Sequence, residues 1–377
     1  MKKLLILGAS EIQLPIILRA KELGHYTIVA DYNPEALALV YADKKLIIST
    51  NDIPSLIKAA KEYNIDGVLT TSDFPVRSVA HICNELGLRG LTINSAELCT
   101  DKYLLRQHLD KNKFLVPQFK VIKSKETINE IDFYPCVIKP VDSSGSRGVQ
   151  KVNTFTELIN AYDLSLLHSN SQTVIVEEFI DGDEYSIETL TQNSVTSIVA
   201  ITAKTVKGAK GIFFVEDRHV IPACISNELE LEISEIIAQV INSLDLNNSP
   251  THTEIKINNK GIYIIEIGAR LGGDFITSDL VPLATGIDML ENAINIALNK
   301  KINTSNKIKK YSGIQFITTE NYKLVETYLK DTNPLVIKQM INPFKEVQLK
   351  SSFDRLGYFI VQANTNKQLN QALNCEK

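Results

Sequence analysis

The chain has no tryptophan, three methionines and five cysteines among 377 residues. Cys83, Cys99, Cys136, Cys224 and Cys375 are odd in number, widely scattered and never in a Cys-x-x-Cys pair. That argues against a disulfide framework or a cysteine zinc site, and a reducing, cytoplasmic setting is expected. An excess of either charge is missing too: 40 Lys and Arg face 44 Asp and Glu, a formal net charge of −4. Neutralising a long polyanion needs a cationic excess or stripe, so nucleic acid is excluded as a partner, whereas a small phosphate ligand held by a few groups is not. No apolar run approaches the ~18 residues of a membrane span, so no membrane partner is expected. Residues 1–7 have the look of a signal peptide, but the apolar run stops at Gly8, and Glu11, Gln13 and Arg19 follow; a buried first strand is expected instead. Internal repeats and low-complexity segments are also absent.

What is present has the length for two or three domains at ~150 residues each. Over the first hundred residues strand patterns (3–8, 27–31, 46–49, 67–70) alternate with helical ones (14–23, 53–63, 75–86). Continuous apolar strands in βαβ alternation imply a parallel, doubly wound sheet. Thereafter the pattern changes. A helix is expected over 101–109, strands over 136–139, 149–152 and 173–178, a helix over 155–167, and an antiparallel sheet from 185 to 201. Strand-like segments return at 313–317, 336–340 and 358–363. Four regions result: 1–97, 98–182, 183–304 and 305–377.

The loop after the first strand, Gly8-Ala9-Ser10-Glu11-Ile12-Gln13, stands where a dinucleotide fold carries Gly-x-Gly-x-x-Gly, with Asp31 closing the second strand. Ser10 and Gln13 replace the second and third glycines, so a scaffold without a cofactor is expected there. The run Pro135-Cys-Val-Ile-Lys139-Pro-Val-Asp-Ser143-Ser144-Gly145-Ser146-Arg147-Gly148 is more informative. A buried strand ends in a lysine, and small residues follow that let successive backbone N–H groups face a phosphate. A plain surface turn is the alternative, but a turn does not require a lysine on the strand before it. A third segment, Thr173 to Glu184, ends an apolar strand in Glu177 and Glu178 and adds Glu184 seven residues after Glu177; alone it reads first as a strand followed by a solvated acidic turn.

Two strands flank the hairpin signal Asn258-Asn259-Lys260-Gly261. Pairing about Lys260 sets Glu254 opposite Glu266, with Ile255, Ile257, Tyr263, Ile265 and Ile267 on one face and Glu254, Lys256 and Glu266 on the other. Two carboxylates directly across strands repel. A hard divalent cation between them reverses the sign, and Lys256 screening a solvated pair is the alternative. Arg270, flanked by Gly268, Gly272 and Gly273, suggests close approach of an anionic ligand.

Taken in order, Asp101-Lys102, Val-Ile-Lys139-Pro with the loop 143–148, Glu177-Glu178-Phe179-Ile180, Glu254 and Glu266-Ile-Gly-Ala-Arg270 resemble the ATP-grasp superfamily of carboxylate–amine ligases. The chain is most similar to stand-alone L-amino-acid ligases with a carbamoyl-phosphate-synthase-like grasp. The resemblance implies an α/β and α+β fold: a Rossmann-like pre-ATP-grasp domain (1–97), a small lobe with the phosphate lid (98–182), a large lobe with the metal and substrate site (183–304) and a small C-terminal α+β block (305–377). It implies ATP and Mg²⁺, or Mn²⁺, as cofactors. Lys102 and Lys139 would contact the phosphates, with Ser143, Ser144, Gly145, Ser146 and Gly148 closing over them. Glu177, Glu178, Phe179 and Ile180 would hold adenine, Glu184 the ribose, and Glu254 and Glu266 the metal. Arg270 would orient the substrate carboxylate and act with Lys139 in catalysis. Relatives carry Asn where this chain has Gly268, so water or another group has to complete the metal's shell.

The reaction so implied is phosphoryl transfer to a carboxylate, then attack of an amine on the acyl phosphate, with small molecules, amino acids by resemblance, as substrates and a homodimer as the assembly. Substrate candidates are Asp73, His219, Arg270, Gly272 and Gly273, with Lys204 and Arg218 beside them; for Asp73 a helix N-cap is the first expectation and a substrate ammonium group the second, and a structural role is the alternative for His219. The rival readings are a bicarbonate-activating carboxylase or carbamoyl-phosphate-type enzyme, a non-catalytic nucleotide-binding module, and a dinucleotide-dependent oxidoreductase.

Overall fold

Strands apolar on both faces need cover on both faces, and the first seventy residues supply helices between them. In the computed structural model, which describes residues 1–208 and 211–376, β1 (Lys3–Leu7), β2 (Tyr26–Asp31), β3 (Lys44–Ile47) and β4 (Gly67–Leu69) form an all-parallel sheet in the order β3-β2-β1-β4. Helices α1 (Leu14–Glu22), α2 (Ile53–Tyr63) and α3 (Val76–Leu86) alternate with the strands. Helix α2 starts where the Asp52 carboxylate accepts from the Ser55 amide and stops at Asn64, in the left-handed conformation that ends helices. Helices α4 (Ile93–Thr100) and α5 (Lys102–Lys111) lead out of this unit, and Asp101 caps α5 through the amides of Tyr103 and Leu104. The loop after β1 is closed on itself. Ser10 donates from its amide and hydroxyl to Gln13 Oε1, and the Ala9 amide donates to Asp31. A pyrophosphate has no free cradle there.

A second, antiparallel sheet has the order β5-β8-β6-β7, from β5 (Phe119–Ile122), β6 (Cys136–Pro140), β7 (Gln150–Val152) and β8 (Val174–Glu178). Helix α6 (Phe155–Leu167) covers one face, burying Leu158 and Tyr162 against Ile138 and Val176. The third sheet has eight strands, in the order β13-β12-β9-β10-β11-β14-β16-β15. Its first part comprises β9 (Asp183–Gln192), β10 (Val195–Lys207), β11 (Val215–Ile221), β12 (Ser249–Asn258) and β13 (Gly261–Gly268). Helix α7 (Asn227–Ser243) packs Ile233, Ile237 and Val240 onto Ile255, Ile264 and Ile267. Helices α8 (Val281–Thr285) and α9 (Met289–Ala297) follow, then β14 (Tyr311–Ile317), α10 (Tyr322–Leu329), β15 (Val336–Ile341), β16 (Gly357–Ala363) and α11 (Asn366–Leu373). The last three strands continue the same sheet through antiparallel pairing of β11 with β14. No helix among the described residues is long and apolar enough to cross a membrane.

The β12–β13 hairpin departs from its expected register in an instructive way. Asn258 pairs with Gly261 and Ile255 with Ile264, so the turn is one residue tighter than pairing about Lys260 requires. Continued without interruption, that register would put Glu254 opposite Ile265. A bulge between Glu254 and Ile255 absorbs one residue and restores the Glu254–Glu266 pair. The face assignment therefore changes: Ile262 and Ile264 join Ile255 and Ile267 in the core, while Ile265 turns to the cleft wall beside Glu266.

Candidate functional site

The second and third sheets enclose a cleft of about 840 Å³. It brings together Lys102, Lys139, residues 143–147, Glu177 to Ile180, Glu184, Glu254 and Glu266. Val137, Pro140, Val149, Val206, Phe179 and Phe214 supply apolar wall. Phe179 and Phe214 stack with a 29° tilt between their rings and centroids 6.3 Å apart, and Lys151 Nζ is 3.7 Å from the Phe179 centroid. Gly145, Ser146 and Gly148 adopt left-handed φ of 65°, 55° and 72°, which folds the loop back on itself. The Arg147 guanidinium sits 5.2 Å from the Phe74 ring, so the loop leans toward the N-terminal unit.

The charged groups are paired rather than pooled. Glu177 is buried at the end of β8, where Lys139 Nζ is 2.7 Å from one carboxylate oxygen and Arg106 Nε 2.8 Å from the other. Burial alone would raise the Glu177 carboxyl; the Arg106 and Lys139 cations override it and hold it below the ordinary range. Two cations share this one carboxylate, which leaves positive charge facing the cleft at Lys139. Arg106, fully buried, also donates to the Ile265 carbonyl freed by the bulge. Lys102 Nζ donates to the Ser143 carbonyl at 2.6 Å and lies 3.2 Å from Glu266 Oε1, tying α5 to the loop and to β13.

Across the cleft, Lys204 Nζ lies 2.5 Å from Glu254 Oε1, 3.2 Å from Glu184 and 3.9 Å from Glu216. His252 Nδ1 is 2.6 Å from buried Glu188 and its Nε2 3.5 Å from Glu254 Oε1. Burial disfavours the imidazolium, but Glu188 more than compensates and the pKa is pushed up to about 9. Backbone amides at the end of β8 are engaged within the protein: Glu178 N–H donates to Gln118 and Phe179 N–H to Pro135.

The remaining candidates lie outside the cleft wall, beyond β13. Arg270 makes a two-point pair with Asp73, 2.8 Å at Nε and 2.8 Å at Nη2, and its Nη1 donates to the Leu271 carbonyl. Asp73 is not a helix cap; α3 starts at Val76 after Pro75, with no side-chain cap. A Cβ at Gly268 would meet this pair at 3.1 Å, so a larger side chain there and the Asp73–Arg270 pair would compete for one space. A Cβ at Gly272 would lie 2.7 Å from both Glu188 and His252, while Gly273 has open space. His219 is fully buried, edge-on to Phe316 and 3.9 Å from Asp274, which Arg355 holds at 2.9 Å from each of its two terminal nitrogens. Arg218 points away, to Gln315 and Asn374. Arg106, Glu188, Glu216 and His252 escape a reading by motif. Only Arg106 left a trace, four residues after Lys102 and thus on the same helical face.

Two lobes clasp a cleft with this order of lysine, loop and glutamates, and within them residues 132–279 match the family model for the ATP-grasp domain. Particular relatives are consistent with it. The chain is 26% identical over 309 residues to alanine–anticapsin ligase of Bacillus subtilis, covering 73% of this chain and 63% of that protein. It is 27% identical over 272 residues to an uncharacterized protein of Sinorhizobium fredii, 69% of this chain and 55% of the other. A formate-dependent phosphoribosylglycinamide formyltransferase of Sulfolobus acidocaldarius matches at 25% over 260 residues, 64% of each. This chain thus spans between about half and two thirds of the length of these relatives. Among solved structures, the L-amino acid ligase from Bacillus licheniformis superposes with a TM-score of 0.81 at 22% identity, over 100% of this chain and 98% of that one. N5-carboxyaminoimidazole synthetase from Staphylococcus aureus complexed with ADP gives 0.79 at 16%, over 99% and 96%. At those identities the likeness is one of fold.

Proposed function

We propose that this chain is an ATP-dependent ligase that activates a small carboxylate as an acyl phosphate and joins it to an amine, releasing ADP and phosphate. The observation that carries the reading is the Glu254–Glu266 pair, opposed across strands in the cleft that also holds Lys139 and the Ser/Gly loop. Five basic and six acidic side chains line that cleft, so a polyphosphate cannot be held by net charge and needs local cations. Lys102 and Lys139 are two. The carboxylates opposed across β12 and β13 suit Mg²⁺, or Mn²⁺, which favours a few carboxylates completed by phosphate and water. When bound, it would supply Lewis-acid charge at the phosphates.

The chain's own residues do the rest. Adenine would lie along Phe179 and Ile180, within reach of Glu178, with the ribose toward Glu184. Glu177 positions Lys139 rather than touching the base. Lys139 and Lys102 would neutralise the transferring phosphate, and the loop 143–148 would close to keep water from the acyl phosphate. Arg270, clamped by Asp73, would present its remaining N–H groups to the substrate carboxylate, with Gly272 and Gly273 allowing close approach. His219 would stand behind this loop, through Asp274. Amino acids are the proposed substrates, as in the names of the L-amino acid ligase and alanine–anticapsin ligase relatives.

The test is an ADP-release screen with amino acids singly and in pairs, with a bicarbonate arm. Amine-dependent ADP formation is expected. Lys139→Ala and Glu266→Gln should each abolish it while leaving the circular dichroism of the protein unchanged; normal turnover in either variant overturns the assignment. ADP release that depends on bicarbonate instead points to a carboxylase, and ATP binding without turnover to a nucleotide-binding module.

A further inference from the structure

Each of the two opposed glutamates already carries an internal cation, and one of those cations has somewhere else to go. We propose that Lys204 is a transferable counter-ion, holding Glu254 in the nucleotide-free protein and moving onto Glu184 and Glu216 when a nucleotide and its divalent cation load. This rests on the reading of Glu254 and Glu266 as metal ligands.

Lys204 lies on β10 directly across from Glu184 on β9, and its side chain is 2% exposed. Its Nζ is closest to Glu254 Oε1, at 2.5 Å, with Glu184 at 3.2 Å and Glu216 at 3.9 Å. A buried ammonium stripped of its partner is costly, and most buried lysines with one partner are therefore fixed. Lys204 differs: losing Glu254 leaves it two carboxylates, on β9 and β11. A dication at Glu254 would stand within a few ångströms of that ammonium, a repulsion relieved only if Lys204 withdraws. Lys102 shows the same arrangement at Glu266, with the Ser143 carbonyl as its second partner. The free protein should thus exclude divalent cations until nucleotide phosphates accompany them. Lys204 is a positioning residue, not a catalytic one.

The probe is Mn²⁺, followed by electron paramagnetic resonance on the full chain, with and without a non-hydrolysable ATP analogue. Wild type should bind Mn²⁺ at least tenfold more tightly with the analogue than without it; equal affinities overturn the proposal with no variant needed. Lys204→Met should tighten nucleotide-free Mn²⁺ binding at least tenfold, and Lys204→Arg should behave as wild type. Lys256→Met removes the same charge from the same cleft, 3.7 Å from Glu184, and is expected to change nucleotide-free binding less than threefold. An unchanged Lys204→Met, or an equal gain in Lys256→Met, overturns the proposal. Failure of the underlying metal reading looks different: no Mn²⁺ bound under either condition, and no effect of Glu266→Gln.

Discussion

Glu177 between Arg106 and Lys139 is the residue on which the phosphate side of the cleft turns. Removing the buried arginine leaves the carboxylate with a single partner and vacates a fully enclosed space. Arg106→Leu is expected to cost about 3–5 kcal/mol, read from urea denaturation. Glu177→Gln should instead fold and weaken ATP binding, because Lys139 loses its anchor; a nucleotide titration checks this. The cysteines give a second residue-scale expectation. Burial pushes the thiols of Cys83, Cys99 and Cys136 up to about 12 and that of Cys375 to about 11, while Cys224 is exposed. A thiol reagent at pH 8 should modify Cys224 first and reach the others only on unfolding. Lys139, Glu254 and Glu266 were legible because each is a polar residue at the end of, or facing out from, an apolar strand. Arg106, Glu188 and His252 were not, since their meaning comes from partners 71, 64 and 64 residues away.

At the level of elements, the β12–β13 hairpin shows what pattern reading captures and misses. The glutamate pair was predictable from period-two alternation and a hairpin turn. The bulge was not, because Ile265 is chemically like its neighbours and only the register reveals it. That residues 143–148 form a loop was readable from their small side chains, but the loop's lean onto Phe74 joins segments with no sequence link. Nucleotide closure of that loop should protect the bond after Arg147 from trypsin; equal cutting rates with and without ATP analogue and Mg²⁺ would falsify the lid. Gly268→Asn adds a side chain that intrudes on Arg270 and Asp73. It is expected to lower kcat/KM by about 10- to 100-fold through misplaced Arg270.

On the scale of the molecule, Asp73 and Arg270 bridge the parallel-sheet unit and the large sheet. Burial would raise the Asp73 carboxyl, but the Arg270 guanidinium holds it below its ordinary range. A carboxyl lowered on folding adds stability above its unfolded pKa and loses it as pH falls through the folded value. Asp73→Asn should therefore flatten the acid limb of the stability profile, and lower the apparent affinity for the substrate carboxylate. Periodicity, being local, gave the parallel βαβ start, whereas the two-lobed outline came only with the family resemblance. That β14 to β16 extend the large sheet is a long-range pairing that no local signal carries.

The loop from Arg270 to Asp274 is fastened at one end by Asp73, 197 residues earlier, and at the other by Arg355, 81 residues later. During synthesis the first clasp is waiting long before the loop emerges, and the second is translated only 81 residues after it. A ribosome that has made every residue lining the cleft has not yet made the group that fastens the far end of this loop. The cleft can thus take shape on the nascent chain before the loop beside it is held at both ends.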